Sequence, residues 1–169
     1  MVIIALLVAI ASVLFTVETL IQSPFPWIRL GLANIATLLA LKWWGFKEAF
    51  IVVILRVVLG SLLTGKFFHP IFLMALSGGV AAAFTMKIAL VYENRIFGVI
   101  GISVMGALTK NLTQLLVAYV FIVRQVHIVF LVPLFLFASL VGGIAVGFCV
   151  YLIDGRITPL VLDKTFDSS

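Results

Sequence analysis

Four ionisable side chains stand out in or beside the long apolar stretches of this 169-residue sequence, where a charge is costly to bury, and one of them, Glu48, is explained as the solvated start of a helix. Glu18 lies near the end of the first stretch, Arg56 near the middle of the third, and Lys110 near the middle of the fifth. A charge in such a place usually pairs with an opposite charge or contacts a charged ligand. These three residues are therefore the first candidates for a functional site.

Three amide side chains accompany these charges. Asn34 lies in the second apolar stretch, and Asn111 and Gln114 follow Lys110 in the fifth. Gln114 lies one helical turn beyond Lys110 and therefore shares its face of a helix. Placed by depth, all six residues fall near the middle or in the same half of the apolar region, which predicts one polar cavity. The predicted substrate-binding residues are Glu18, Asn34, Arg56, Lys110, Asn111 and Gln114.

This polar set has two interpretations. In the first, Glu18 pairs with Arg56 or Lys110 while the amides bridge helices, so that the network only holds the fold together. In the second, the cavity binds a ligand. One carboxylate cannot neutralise two cations, and a carboxylate or phosphate compound would supply the missing negative charge. The charge imbalance favours a small anionic ligand over a purely structural network.

The composition indicates an integral membrane protein. Hydrophobic residues make up 64% of the chain and charged residues only 10%, whereas a soluble domain carries roughly a quarter of charged residues. The net charge of +5 comes from scattered basic residues that form no patch, so nucleic acid is not an expected partner. No basic segment precedes the first apolar stretch, and we therefore expect a retained first helix rather than a signal peptide.

Charges, prolines and glycines divide the chain into apolar stretches of helical length. Backbone groups in lipid must bond within their own segment, and the stretches lack strand-like alternation, so helices are expected. The sequence thus predicts an all-α, polytopic fold with a six-helix transmembrane domain over 1–153 and a polar cytoplasmic tail over 154–169. The predicted spans are Val2–Ile21, Leu30–Trp44, Ala49–Thr64, Pro70–Val91, Ile96–Val123 and Ile128–Ile153.

The basic residues near the ends of the spans and in the connections between them predict the orientation of the chain in the membrane. Six of them flank one end of the spans, namely Lys42, Lys47, Lys87, Arg95, Arg156 and Lys164. Three flank the other end, namely Arg29, Lys66 and Arg124. Because cytoplasmic connections carry the excess of Lys and Arg, we expect a multi-pass plasma-membrane protein with both termini in the cytoplasm. The polar cavity would then open outward.

Small residues and missing motifs bound the function further. Ala5 and Ala9 form a small face that could dock a second membrane protein, and glycine pairs on the fourth and sixth spans indicate helix contacts. The sequence contains no P-loop, no pair of aspartate-rich clusters and no HExxH motif, and Cys149 is alone. We therefore expect no catalysis, no cofactor and no metal site. A cavity without an energy source suggests a binding subunit that depends on a partner.

Several segments together resemble a known membrane family. They are Glu18-Thr19-Leu20 before Pro24-x-Pro26, Arg29-Leu30-Gly31-Leu32-Ala33-Asn34-Ile35, Gly45-Phe46-Lys47-Glu48-Ala49, Leu55-Arg56-Val57 with Leu59-Gly60-Ser61, Leu76-Ser77-Gly78-Gly79, and Gly106-Ala107 with Asn111-Leu112-x-Gln114. The chain looks like the family labelled Gx transporter or heptaprenyl diphosphate synthase component I. The resemblance covers about residues 10 to 150.

That family in turn resembles the substrate-capture (S) components of energy-coupling factor vitamin transporters. The resemblance implies a six-helix S-component-like bundle that binds a small molecule near the outer face. It also implies a transmembrane coupling subunit and two cytoplasmic ATPases as partners, docked through small residues that Ala5 and Ala9 match. The sequence-based hypothesis is an S subunit that takes up an anionic vitamin or an isoprenoid or quinone precursor. The alternatives are a non-catalytic accessory of heptaprenyl diphosphate synthesis and a self-sufficient carrier or structural bundle.

Overall fold

A computed structural model describes the backbone of residues 2–20, 31–93, 98–121 and 130–166, and the side chains of these residues except at 2–3, 19–20 and 157–166. The described residues form helices and contain no strand, which confirms the predicted all-α class. The helices are α1 (Val2–Leu20), α2 (Asn34–Trp43), α3 (Phe46–Leu63), α4 (Pro70–Val91), α5 (Val99–Phe121) and α6 (Val132–Phe166).

Two glycines determine where the short helix α2 begins and ends. Gly31 has φ +82°, a left-handed conformation that costs glycine little, and it opens the turn that leads into Asn34. The N–H of Asn34 donates to the carbonyl of Gly31 at 2.8 Å. Gly45, with φ +101°, separates α2 from α3. Helix α2 therefore begins inside the bundle, beside the predicted polar residues.

The helix α2 lies at the centre of the bundle. It contacts α1, α3, α4 and α6, while α1 packs on α3 and the remaining helices pack in the order α3, α4, α5 and α6. Leu38 and Ala40 of α2 are fully buried in the largest apolar cluster, together with Val52 of α3 and Met86 of α4. Because α2 contacts most of the other helices, side chains at its N-terminus meet residues from several of them.

The long helices have the length and the surface of membrane spans. Within the described ranges, three helical segments are long and apolar enough to cross a membrane: Pro70–Val91, Val99–Phe121 and Val132–Arg156. A shorter apolar stretch covers Ile4–Glu18. Large apolar side chains stand exposed on the outside of the bundle, which a soluble monomer rarely shows over so wide a surface. These features indicate a membrane protein, and the six spans stay a prediction.

The glycine pairs are contact points between helices. A Cβ added at Gly143 or Gly147 of α6 would lie 2.7 Å from the Cα of Val104 or Ile100 of α5. A Cβ at Gly78 of α4 would lie 3.0 Å from the backbone carbonyl oxygen of Lys110. These glycines therefore let α5 approach its two neighbours closely. Ala5 and Ala9 differ from them because both are exposed on the outside of α1.

Two predictions concern the ends of elements. Helix α6 continues beyond Ile153 to Phe166, so residues that we expected to form a polar tail extend the helix. The prolines Pro24 and Pro26 and the basic residues Arg29, Arg95 and Arg124 lie outside the described residues. The orientation derived from those basic residues accordingly stays a prediction.

Candidate functional site

The site begins with a buried hydrogen bond between α3 and α2. Arg56, only 3% exposed, lies in the middle of α3 and donates from Nη2 to Oδ1 of Asn34 at 2.8 Å. Asn34 is 2% exposed and is the first residue of α2. A charged donor makes this a strong bond in an apolar interior. The two residues therefore fix the N-terminus of α2 against α3.

Glu18, on α1, contacts the turn that precedes α2. Its Oε1 accepts a hydrogen bond from the backbone N–H of Leu32, in the turn between Gly31 and Asn34. No ion pair within 4.0 Å joins Glu18 to Arg56, two residues whose side chains the structure describes. The direct Glu18–Arg56 pair of the structural interpretation is thus not formed. Glu18 instead connects α1 to the segment that leads into α2.

Lys110 approaches this turn from α5. Its side chain is 7% exposed, and a Cβ added at Gly31 would lie 3.1 Å from its Nζ and 3.5 Å from Nδ2 of Asn34. Two features therefore favour glycine at position 31. Its φ is positive, and the absence of a side chain leaves space for the Lys110 ammonium group. The Lys110 ammonium and the Arg56 guanidinium consequently reach the same turn.

These side chains surround a recess of about 260 Å³, a volume that includes the open space at its mouth. It is lined by Phe15, Glu18, Ala33, Arg56, Val57, Ala75, Lys110 and Gln114. Half of these residues are polar or charged, and two of them are cations. The enclosed part of the recess measures about 10 Å³, room for about one water molecule, so a larger ligand would extend into its open mouth. Its charge suits an anion.

Two buried polar atoms at the recess have no hydrogen-bond partner among the residues that the structure describes. They are Nε of Arg56 and Oε1 of Gln114, and Gln114 is 3% exposed. Buried polar side-chain atoms are rarely left unsatisfied in proteins, because the loss of hydration costs about 1–3 kcal/mol each. An unpartnered guanidinium N–H at a recess is therefore a candidate contact for an anionic ligand. The nearby N-terminus of α2 adds a partial positive charge.

Asn111 is the predicted binding residue that lies away from the recess and from the residues that support it. Its Nδ2 donates to Oγ of Ser139 at 2.8 Å, and Ser139 Oγ donates to the carbonyl of Phe135 at 2.6 Å. Asn111 and Ser139 are both buried, and neither lines the recess. Asn111 thus joins α5 to α6 on a face of α5 different from that of Lys110.

The structure therefore brings most of the predicted polar set together. Glu18, Arg56, Lys110 and Gln114 line the recess, and Asn34 supports it through its bond to Arg56. The apolar lining residues Phe15, Ala33, Val57 and Ala75 were not among the predicted substrate-binding residues. No sequence signal distinguishes them from ordinary core residues, because they are apolar side chains in apolar helices.

A second polar cluster lies at the other end of α2. Nζ of Lys42 lies 3.0 Å from Oε1 of Glu93 and 2.8 Å from Oδ2 of Asp154. Nε1 of Trp43 donates to Oδ1 of Asp154 at 3.0 Å. At a rise of 1.5 Å per residue, Lys42 lies on the order of 12 Å along α2 from Asn34. The cluster therefore joins α2, the end of α4 and α6, separately from the recess.

The groups at the recess can bind a ligand through charge and hydrogen bonds. Among the described residues, no three His, Cys, Asp or Glu side chains come together as a metal site requires. The recess contains one carboxylate, and a backbone N–H already occupies one of its oxygens. The groups that face the recess are otherwise hydrogen-bond donors, an amide and apolar side chains.

No curated protein and no solved structure matches the chain. A family model described as heptaprenyl diphosphate synthase component I matches residues 7–153. The matched range covers nearly all of the described helices and every residue of the recess. The chain therefore belongs to the heptaprenyl diphosphate synthase component I family.

Proposed function

We propose that this protein is a non-catalytic binding subunit in the membrane that captures a small anionic molecule. In this role it serves as the S subunit of an energy-coupling factor type transporter. The observation that carries the proposal is that two buried cations, Arg56 and Lys110, both line the recess. The buried Nε of Arg56 supports it, because this donor has no hydrogen-bond partner among the described residues and Arg56 lines the recess.

In this proposal the chain crosses the plasma membrane six times, and both termini lie in the cytoplasm. The support is the excess of basic residues on the connections at one end of the bundle. The recess then opens toward the outside, at the end where α1 finishes and α2 begins. The Lys42 cluster lies at the cytoplasmic end. The ligand is a carboxylate or phosphate compound such as an anionic vitamin or an isoprenoid or quinone precursor.

The proposed partners are a transmembrane coupling subunit and cytoplasmic ATPases. The support is the exposure of Ala5 and Ala9 on the outer face of α1, in contrast to the buried glycine contacts of α4 and α6. Small residues let another helix approach closely in a membrane. An external ATPase would supply the energy, because the sequence contains no P-loop.

A second candidate function comes from the family description. A component of heptaprenyl diphosphate synthase could be a membrane accessory that performs no chemistry itself and recruits a soluble catalytic chain. The same two cations could then hold a diphosphate group. Both candidates require an anion in the recess, and they differ in the protein partner.

Copurification distinguishes the two candidates. The protein is extracted from its native membrane in mild detergent, and bound chains are identified by mass spectrometry. A coupling subunit with ATPases supports the transporter role, and a soluble prenyl synthase chain supports the accessory role. Prenyl synthase activity is then measured with and without the purified protein. A chain that purifies alone and leaves that activity unchanged contradicts both.

A pair of variants tests the docking face. Ala5→Phe and Ala9→Phe should abolish copurification of the partner and leave ligand binding intact, because the bulky rings keep another helix away. Ala145→Phe is the matched control, since Ala145 is an exposed alanine on α6. Equal loss of the partner in all three variants would argue against a specific docking face on α1.

A further inference from the structure

The recess has two chemically different halves. Its apolar half consists of Phe15, Ala33, Val57 and Ala75, which are between 1% and 6% exposed and pack together as one cluster. Its polar half carries the charges and the amide. A site for a bare inorganic anion gains nothing from an apolar wall, because the solvation lost by the anion must be replaced by polar contacts. A wall of this kind suits an anionic group that is joined to a hydrocarbon group.

Phe15 is the bulkiest side chain of the apolar half, and its position is fixed by a glycine. A Cβ added at Gly60 of α3 would lie 2.3 Å from Cδ1 of Phe15 and 3.0 Å from its Cε1. The ring therefore lies directly on the backbone of α3 and cannot retreat further in that direction. The same ring lines the recess.

We propose that Phe15, seated on Gly60, sets the size of the apolar group that the recess accepts beside the anion. The ligand is accordingly an amphiphile, with a carboxylate or phosphate group at Arg56 and Lys110 and a short hydrocarbon group against Phe15. This inference rests on the proposed function, because it assumes that the recess binds an anionic molecule. It assigns to Phe15 a role in specificity rather than in binding the charge.

The size of the effect follows from the hydrophobic contribution of each methylene. Burying one CH₂ group is expected to tighten binding about fourfold. Affinity should therefore rise with chain length until the chain reaches the Phe15 ring, and then stop rising or fall. This limit in chain length is the quantity that a change at Phe15 should move.

The test uses two series of probes with the protein in lipid nanodiscs. One series runs from inorganic phosphate through monoalkyl phosphates of increasing chain length, and the other consists of the corresponding alkanoates. Equilibrium binding is measured by titration calorimetry for each probe. We expect the wild type to show a limit in chain length, Phe15→Ala to move it to longer chains, and Phe15→Leu to lie between. Affinity for the shortest probes should stay within about twofold, because the charged contacts are unchanged.

Gly60→Ala provides the opposite change. Its added methyl group displaces the Phe15 ring into the recess, so the limit should move to shorter chains. Gly106→Ala is the matched control, because its Cβ would meet Cε of Met86 at 2.1 Å, a contact equally tight but away from the recess. This control should lower stability without moving the limit.

The outcomes separate this inference from the proposed function. If phosphate or short alkanoates bind the wild type but the limit is the same in folded Phe15→Ala, Phe15→Leu and Gly60→Ala, the role of Phe15 is wrong and the proposed function stands. Affinity that is independent of chain length in the wild type would likewise contradict the role of Phe15 and leave the proposed function standing. If neither probe series binds the wild type at all, the proposed function fails, and the inference fails with it.

Discussion

Nη2 of Arg56 donates a hydrogen bond of 2.8 Å to Oδ1 of Asn34, and both side chains are at least nine-tenths buried. The bond joins the middle of α3 to the first residue of α2. Because α2 lies at the centre of the bundle, this contact serves the fold as well as the candidate site. A change at either residue should therefore affect stability and binding by different amounts.

The first prediction concerns the coupling of these two residues. Asn34→Ala leaves one more buried N–H of Arg56 without a partner and should cost about 1–3 kcal/mol. Arg56→Ala removes the charge with its bond and should lose ligand binding while the fold is retained. The double variant should be less destabilised than the sum of the single variants, with an interaction of about 0.5–3 kcal/mol. Reversible unfolding in mixed micelles containing dodecyl sulfate measures the three values. Strict additivity would mean that the bond contributes nothing.

The second prediction contrasts two neighbouring amides of α5. Gln114 lines the recess and has an unpartnered Oε1, whereas Asn111 donates to Ser139 of α6. Gln114→Ala should weaken ligand binding with a small effect on stability. Asn111→Ala should lower stability by about 1–2 kcal/mol and leave affinity unchanged. Thermal unfolding and equilibrium binding are compared for both variants. The reverse pattern would place the ligand on the α6 side of α5.

The third prediction concerns the Lys42 cluster. Nζ of Lys42 lies within 3.0 Å of a carboxylate oxygen of both Glu93 and Asp154, and the three side chains are 16–22% exposed. Lys42→Met should lower the Tm, because two carboxylates then lie close together without their shared cation, at a cost on the order of 1–2 kcal/mol. Lys42→Met with Glu93→Gln should recover part of this loss.

Salt provides the control for that prediction. A high salt concentration screens the repulsion between the two carboxylates, so the Tm difference between the wild type and Lys42→Met should shrink in about 1 M sodium chloride. Ligand binding should not change, since the cluster lies far from the recess. An unaltered Tm in Lys42→Met would show that the two carboxylates do not need this cation.

The sequence contained most of the information about the fold class and the polar residues of the site. The prolines, glycines and charges between apolar stretches placed α4 at its observed bounds, Pro70–Val91. Ionisable residues in apolar stretches are rare, so Glu18, Arg56 and Lys110 could be chosen without a structure. Helical spacing then added Gln114 to the face of Lys110, and both residues line the recess.

The partners of each side chain could not be predicted in the same way. Adjacent residues on a helix point about 100° apart, so Lys110 and Asn111 necessarily face different neighbours. Which neighbour each one faces depends on how the helices pack, and periodicity within one helix does not specify this. The position of Phe15 could not be predicted either, because its ring packs against the backbone at Gly60, which belongs to another helix. The extension of α6 past Ile153 could not be predicted from hydropathy, because Asp154 and Arg156 end the apolar run without breaking a helix.

The central claim is that the recess beside Arg56 binds an anion. Equilibrium binding of radiolabelled inorganic diphosphate and of succinate to the protein in nanodiscs, for the wild type and Arg56→Gln, tests it most directly. Saturable binding of at least one of these anions to the wild type is the predicted result, with affinity reduced about 10- to 100-fold in Arg56→Gln, since a charged hydrogen bond contributes about 1.5–3 kcal/mol. Equal affinity in the two proteins, or no saturable binding of either anion to the wild type, would contradict the claim.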